Sequence, residues 1–165
     1  MKHRSSQSGF SIIDMIMGIS IIAIAIVGIM KAQENYTRMS SQAEIGLRAI
    51  SLANTVMNTI RMHAYDENDT SPWSTTIGAN TDTGESSLSD YDDIDDYAGA
   101  SWDFSSVGYI SFTVETRVFY INLATSWVDS VGPTTNFKRI IVSISHPDLD
   151  DPVILSSLYA GIVEN

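Results

Sequence analysis

From Ile12 to Met30 the chain is an almost unbroken apolar run of Ile, Met, Ala, Val and Gly, with Asp14 as its only charge. Nineteen residues rise roughly 28 Å as an α-helix, about the thickness of one hydrocarbon core. The segment Met1 to Gly9 ahead of it is polar and basic. Basic residues before an apolar stretch orient it with its N-terminal end in the cytoplasm, so the remainder is expected outside the cytoplasm. Beyond Lys31 the pattern changes, because Met39, Ala43, Leu47, Ile50, Met57, Ile60 and Ala64 recur at mostly three- and four-residue spacing without an intervening proline. That spacing predicts that the helix continues over 31–65 as an amphipathic half, with this stripe packed on a globular domain. Gly18 and Gly28 are the weak points if the helix stretches.

A second periodicity takes over near the C-terminus. Ile110, Phe112, Val114, Val118 and Tyr120 alternate with Ser111, Thr113, Glu115, Arg117 and Phe119, which is the period of a half-buried strand. Another strand is predicted from Phe137 to Ser145 with Ile140, Val142 and Ile144 on one face. The sequence His146-Pro147-Asp148-Leu149-Asp150-Asp151-Pro152 then turns the chain, and Val153 to Tyr159 returns. A long helix followed by a small antiparallel sheet over 108–165 makes the fold class α+β.

Between helix and sheet, residues 66–107 show no clear period. Eleven acids lie there among Ser, Thr, Gly and Asn, and no Lys or Arg occurs between Arg61 and Arg117. So long a connection implies a functional loop, short hidden strands, or both, with Trp73 and Trp102 pinning its ends to the core. Within it, Asp90, Asp92, Asp93, Asp95 and Asp96 crowd into seven residues and repel one another unless solvated or neutralised. Ca²⁺ takes oxygen ligands from irregular segments of this kind, which makes Asp92, Asp93, Asp95 and Asp96 candidate ligands and a cation a candidate for what orders the loop. The spacing is not that of an EF-hand, and a solvated acidic loop with no cofactor is the commoner outcome.

Charge narrows the function. Nine Lys and Arg face twenty Asp and Glu, and Lys2 and Arg4 belong to the basic segment before Gly9. Such acidity argues against nucleic-acid binding through the acidic domain, since phosphate contacts need clustered cations. The absence of cysteine excludes disulfides, thiolate catalysis and Cys-ligated zinc. No phosphate-binding Gly-rich loop or nucleophile elbow is present, and His3, His63 and His146 have no metal-ligand spacing, so no enzyme is expected.

The apolar run fits three elements: a secretory signal cut near Ala23-Ile24-Ala25, an uncut anchor, or a third kind that alone explains Asp14. A carboxylate at the centre of a membrane helix costs about 2.5–3.5 kcal/mol, less near its end, and normally has a partner. Asp14 lies one helical turn after Phe10, where in a staggered bundle it can face the freed amine of a neighbouring subunit. The alternative is a tolerated acid at the membrane boundary. The stretch Gly9-Phe10-Ser11-Ile12-Ile13-Asp14-Met15-Ile16 resembles the processing motif of type IV pilins and pseudopilins. The resemblance implies cleavage of a leader, residues 1–9, after Gly9 by a prepilin peptidase, N-methylation of Phe10, and a filament-core helix over 10–30. It implies other pilin subunits as partners through that helix, the inner membrane as the location before assembly, and a surface filament after it. Asp14 departs from the glutamate usual in the family, which fits a minor subunit. A weaker similarity, carried by Asp92-Asp93-Ile94-Asp95-Asp96-Tyr97-Ala98-Gly99 and by Lys138-Arg139-Ile140 leading to His146-Pro147, is to minor pilins of the mannose-sensitive haemagglutinin pilus. The expected function is that of a minor pilin in assembly initiation or adhesion. The alternatives are a pseudopilin of a type II secretion system and a membrane-anchored extracytoplasmic binding domain with a cation-binding loop.

Overall fold

The computed structural model describes residues 11–68, 71–79, 87–105, 111–132 and 134–161. Gly9, Phe10 and Ile110 therefore lie outside the described residues. The element order is one helix, α1 (Ile12–Ile60), a 3₁₀ turn (Asp95–Tyr97), and four strands, β1 (Ser101–Phe104), β2 (Phe112–Tyr120), β3 (Phe137–Ser145) and β4 (Val153–Ala160). The chain divides into two compact units, the first ending at Ala43 and the second beginning at Glu44.

In the first unit the helix is unbroken, and every side chain from Ile12 to Met30 except Gly18 is exposed. It is long and apolar enough to cross a membrane or to act as a signal segment. Ser20 returns its hydroxyl to the carbonyl of Ile16, four residues back, so it leaves no unpaired donor on the apolar surface, and Thr37 does the same to Gln33 in the polar stretch that follows.

The second unit packs the end of α1 on a four-stranded antiparallel meander of order β1-β2-β3-β4. Its inward positions follow the strand period: Phe112, Val114, Val118 and Tyr120 from β2, then Ile140, Val142 and Ile144 from β3. These are the residues that the alternation predicted. The sheet begins inside the stretch 66–107, where a functional loop, short hidden strands, or both were expected: β1 is one such short strand and pairs Trp102 with Val114. Four residues bounded by turns carry too little period to be seen in the sequence. The helix ends at Ile60 rather than near residue 65.

The helical stripe needs correction. Met57 and Ile60 are buried as expected, but Met39, Ala43, Leu47, Ile50 and Ala64 are exposed. The buried face is Ile45, Ala49, Ala53, Val56, Met57 and Ile60, itself at three- and four-residue spacing. Ala49 and Ala53 are sealed completely, because small side chains let the helix axis approach the sheet. The expected stripe took Ala43, Leu47 and Ile50 on the neighbouring faces in place of Ile45, Ala49, Ala53 and Val56.

Candidate functional site

At the start of α1, Asp14 sits in the first helical turn, and its Oδ2 accepts the Ser11 N–H at 3.2 Å. A carboxylate there complements the free N–H groups and positive end of the helix. The Ser11 hydroxyl in turn accepts the Ile13 N–H at 3.3 Å. Asp14 therefore faces the chain's N-terminal side, on a helix whose next sixteen residues carry no charge.

The acidic segment is organised inward. Asp92 is exposed, whereas Asp93, Asp95 and Asp96 are buried. Short bridges to Ala64 hold the segment against the helix end: the Ala64 N–H donates to the Asp92 carbonyl, and the Ile94 N–H to the Ala64 carbonyl. Ile94 then enters the core fully buried. Asp93 Oδ1 accepts the N–H groups of Asp95 and Asp96 at 2.8 and 3.2 Å. Asp96 Oδ2 accepts those of Asp92 and Asp93, both at 3.1 Å. The aspartates thus satisfy the turn's own backbone donors, as Asp does wherever a chain reverses tightly.

The cation inside this segment is Lys138. Its position on β3 is in phase with Ile140, Val142 and Ile144, so the strand period carries its ammonium into the core, where the side chain is fully buried. Nζ donates to the Tyr65 carbonyl at 2.6 Å, Asp66 Oδ2 at 2.9 Å and Asp95 Oδ1 at 2.6 Å. Three acceptors match the three donors of an ammonium group. The rings of Tyr65 and Tyr120 add their faces, with centroids 4.4 and 5.1 Å from Nζ.

Asp66 is the second hub. Oδ1 accepts the Ser74 hydroxyl at 2.7 Å and the Ser74 N–H at 2.9 Å, while Oδ2 accepts the Tyr120 hydroxyl at 2.8 Å. One carboxylate so joins the start of the loop to β2 and β3. Burial opposes its ionisation, but the bonds from Ser74, Lys138 and Tyr120 outweigh it and hold the Asp66 carboxyl down to about 2. Asp93 behaves oppositely: burial first, then the neighbouring Asp95 carboxylate, pushes it up to about 8. Burial also raises Asp95, against the pull of Lys138.

Asp93, Asp95 and Asp96 are thus brought together, with their oxygens engaged by backbone N–H groups and by Lys138, while Asp92 stands apart on the surface. Among the described residues no group of three or more His, Cys, Asp or Glu is arranged to hold a metal ion. Lys138, Asp66 and Tyr120 were missed as partners of this segment. The available signal was Lys138 itself, a charge on the inward register of a strand, which requires an anion within reach. Trp73 does pin the loop, its Nε1–H donating to Asn136 Oδ1 at 2.8 Å, and Trp102 packs against the core from β1.

Comparison with protein-family models, curated proteins and solved structures gave no match.

Proposed function

We propose that this chain is a structural minor subunit of a type IV pilus-like filament. In this reading it is cut after Gly9, methylated at Phe10, held in the inner membrane with its globular unit in the periplasm, and then packed by its helix into a filament for assembly initiation or adhesion. The observation that carries the reading is the helix. A single α-helix begins beside the Gly9-Phe10 motif, bears one acid in its first turn, continues through an exposed apolar stretch, and ends as part of the core of an antiparallel sheet domain.

A removable secretory signal has no need to share a helix with the folded domain. A cut near Ala25 would fall inside α1. A simple anchor has no need of Asp14, whose desolvation in a membrane is relieved by a neighbour's N-terminal amine. The exposed Leu47 and Ile50 favour the same reading, because large apolar side chains on a stretch of helix already packed on one side suit contact with further helices.

The test is incorporation. Asp14→Ala should leave the amount of membrane-bound, folded protein unchanged while sharply reducing the amount recovered in filaments sheared from cells. Equal recovery of variant and parent in the sheared fraction would contradict the proposal.

A further inference from the structure

The face of the sheet turned away from α1 carries a groove of about 550 Å³, lined among others by Gly99, Arg117, Phe119, Asp129, Ser130 and Arg139. This is within the range of about 300–1,000 Å³ typical of small-ligand sites. Its floor follows from register. Phe119 pairs with Arg139 and Arg117 with Ile141, so the two-residue period of the strands sets all four on the same outer face. Its wall is the segment after β2, held in place by the Val131 N–H on the Tyr120 carbonyl at 3.0 Å and by Arg139 Nη1 on the Val128 carbonyl at 3.2 Å.

Beyond Arg61 the sequence has only three basic residues, Arg117, Lys138 and Arg139. Lys138 is enclosed with Asp66 and Asp95. Both of the others line this one groove, on a domain that is otherwise strongly acidic. Arg139 is fixed in position: Nε donates to Ser156 Oγ at 2.9 Å, and its guanidinium lies 5.2 Å from the ring centre of Trp127, which is 64% exposed. Arg117 differs. Its backbone belongs to the β2–β3 ladder, but among the described residues its guanidinium makes no hydrogen bond or ion pair, so no internal polar contact accounts for its charge.

We infer that the groove binds an acidic saccharide, a sugar ring bearing a carboxylate. Arg117 and the unused Nη2 edge of Arg139 supply planar donors matched to a carboxylate. Phe119, and Trp127 beside Arg139, offer apolar surface to the C–H face of a sugar ring. Ser130 and Asp129 meet its hydroxyls. Asp129 also selects against phosphate, because a fixed carboxylate on the rim repels a dianion more strongly than a monoanion.

The inference concerns the outer face of the sheet and is independent of filament assembly, so it is tested on the full chain in detergent micelles. A uronate-containing tetrasaccharide is titrated and followed by calorimetry, alongside its carboxyl-reduced counterpart and inorganic phosphate. The expected result is saturable binding of the uronate form that weakens with added salt. Arg117→Gln should weaken it at least about tenfold, the scale of one lost charge-assisted hydrogen bond. The carboxyl-reduced sugar, which gives up the contacts of both arginines, should bind the parent at least as weakly as the uronate binds Arg117→Gln. Arg117→Gln should unfold at the same urea concentration as the parent, since that side chain holds nothing in the fold. Absence of saturation by about 10 mM uronate, far weaker than a millimolar site, would overturn the inference. So would equal affinity for the reduced sugar or for phosphate, or no effect of Arg117→Gln.

Discussion

Replacing Lys138 by Met keeps the length and apolar stem of the side chain and removes only its charge and three donors. Both of its carboxylate partners are shielded from water, with side-chain exposures of 0% for Asp66 and 6% for Asp95. The variant therefore leaves two anions and the Tyr65 carbonyl without the group they face. Breaking one buried pair from one side costs about 3–5 kcal/mol, and two carboxylates sharing a cation place this case at the upper end of that range. For a domain whose urea slope is about 1–3 kcal/mol per molar, the unfolding midpoint should fall by roughly 2 M. The assay is equilibrium urea unfolding of the full chain in micelles, read by Trp fluorescence, with Trp73 reporting on the base of the loop. The deficit should also shrink as pH is lowered from 7 to 5. Without the cation both carboxylates take up protons more readily in the folded state than in the unfolded chain, so acidification favours folding of the variant. Adding Asp66→Asn and Asp95→Asn to Lys138→Met should recover at least half of the loss, since the uncompensated charges are then gone. A deficit below about 1 kcal/mol at pH 7, or one that is the same at pH 5 and pH 7, would refute the role given to Lys138.

Three further outcomes are expected. The parent's own stability should fall as pH rises from about 4 toward 8, because Asp93 is held up to about 8 and keeps its proton longer when folded than the unfolded value of 3.8 allows. Asp93→Asn, which retains the Oδ1 acceptor for the Asp95 and Asp96 N–H groups, should flatten that fall by more than about 1 kcal/mol at pH 8.5, as urea unfolding at pH 5 and 8.5 would report. At the acid end the sign reverses: Asp66, held to about 2, contributes stability that is present above about 4 and is lost as pH drops toward 2, and Asp66→Asn should remove this loss. Gly161→Ala should destabilise the domain by about 1–3 kcal/mol and alter Trp fluorescence, since a Cβ there would stand 2.8 Å from the Trp73 ring and 2.9 Å from the Tyr65 ring.

Much of the fold could be read from periodicity alone. β2, β3 and β4 were legible because each is long and bounded by turn residues, with apolar residues recurring at alternate positions in β2 and in Ile140, Val142 and Ile144 of β3, and the apolar first half of α1 was legible from its length. The helix face was not, because Ala49 and Ala53 seal the contact with the sheet while Leu47 and Ile50 remain outside. Hydrophobic size marks a face as apolar without saying which apolar face is covered first. The acidic segment was visible as a cluster of charges, but its inward organisation depended on partners far along the chain. Lys138 reaches Asp66 and Asp95 across 72 and 43 residues. A local reading therefore offered only solvent or an outside cation to neutralise the cluster, and the ammonium of Lys138 on Asp95 and Asp66 was not visible to it. Arg117 was read only as a strand residue, and Arg139 only as a strand residue and part of the phrase Lys138-Arg139-Ile140. Their convergence on one groove depends on the β2–β3 register and on the return of the segment after β2.

The two units divide the work. The globular unit carries the buried charge cluster and the outer groove, and the apolar helix carries the features on which the proposed filament membership rests. Those features make a chemical statement about where the mature chain begins, and N-terminal mass spectrometry of protein extracted from membranes and sheared filaments reads it directly. A mature chain beginning at N-methylated Phe10 is the predicted result. A chain beginning at Ile26, or one retaining residues 1–9 in the filament fraction, would contradict it.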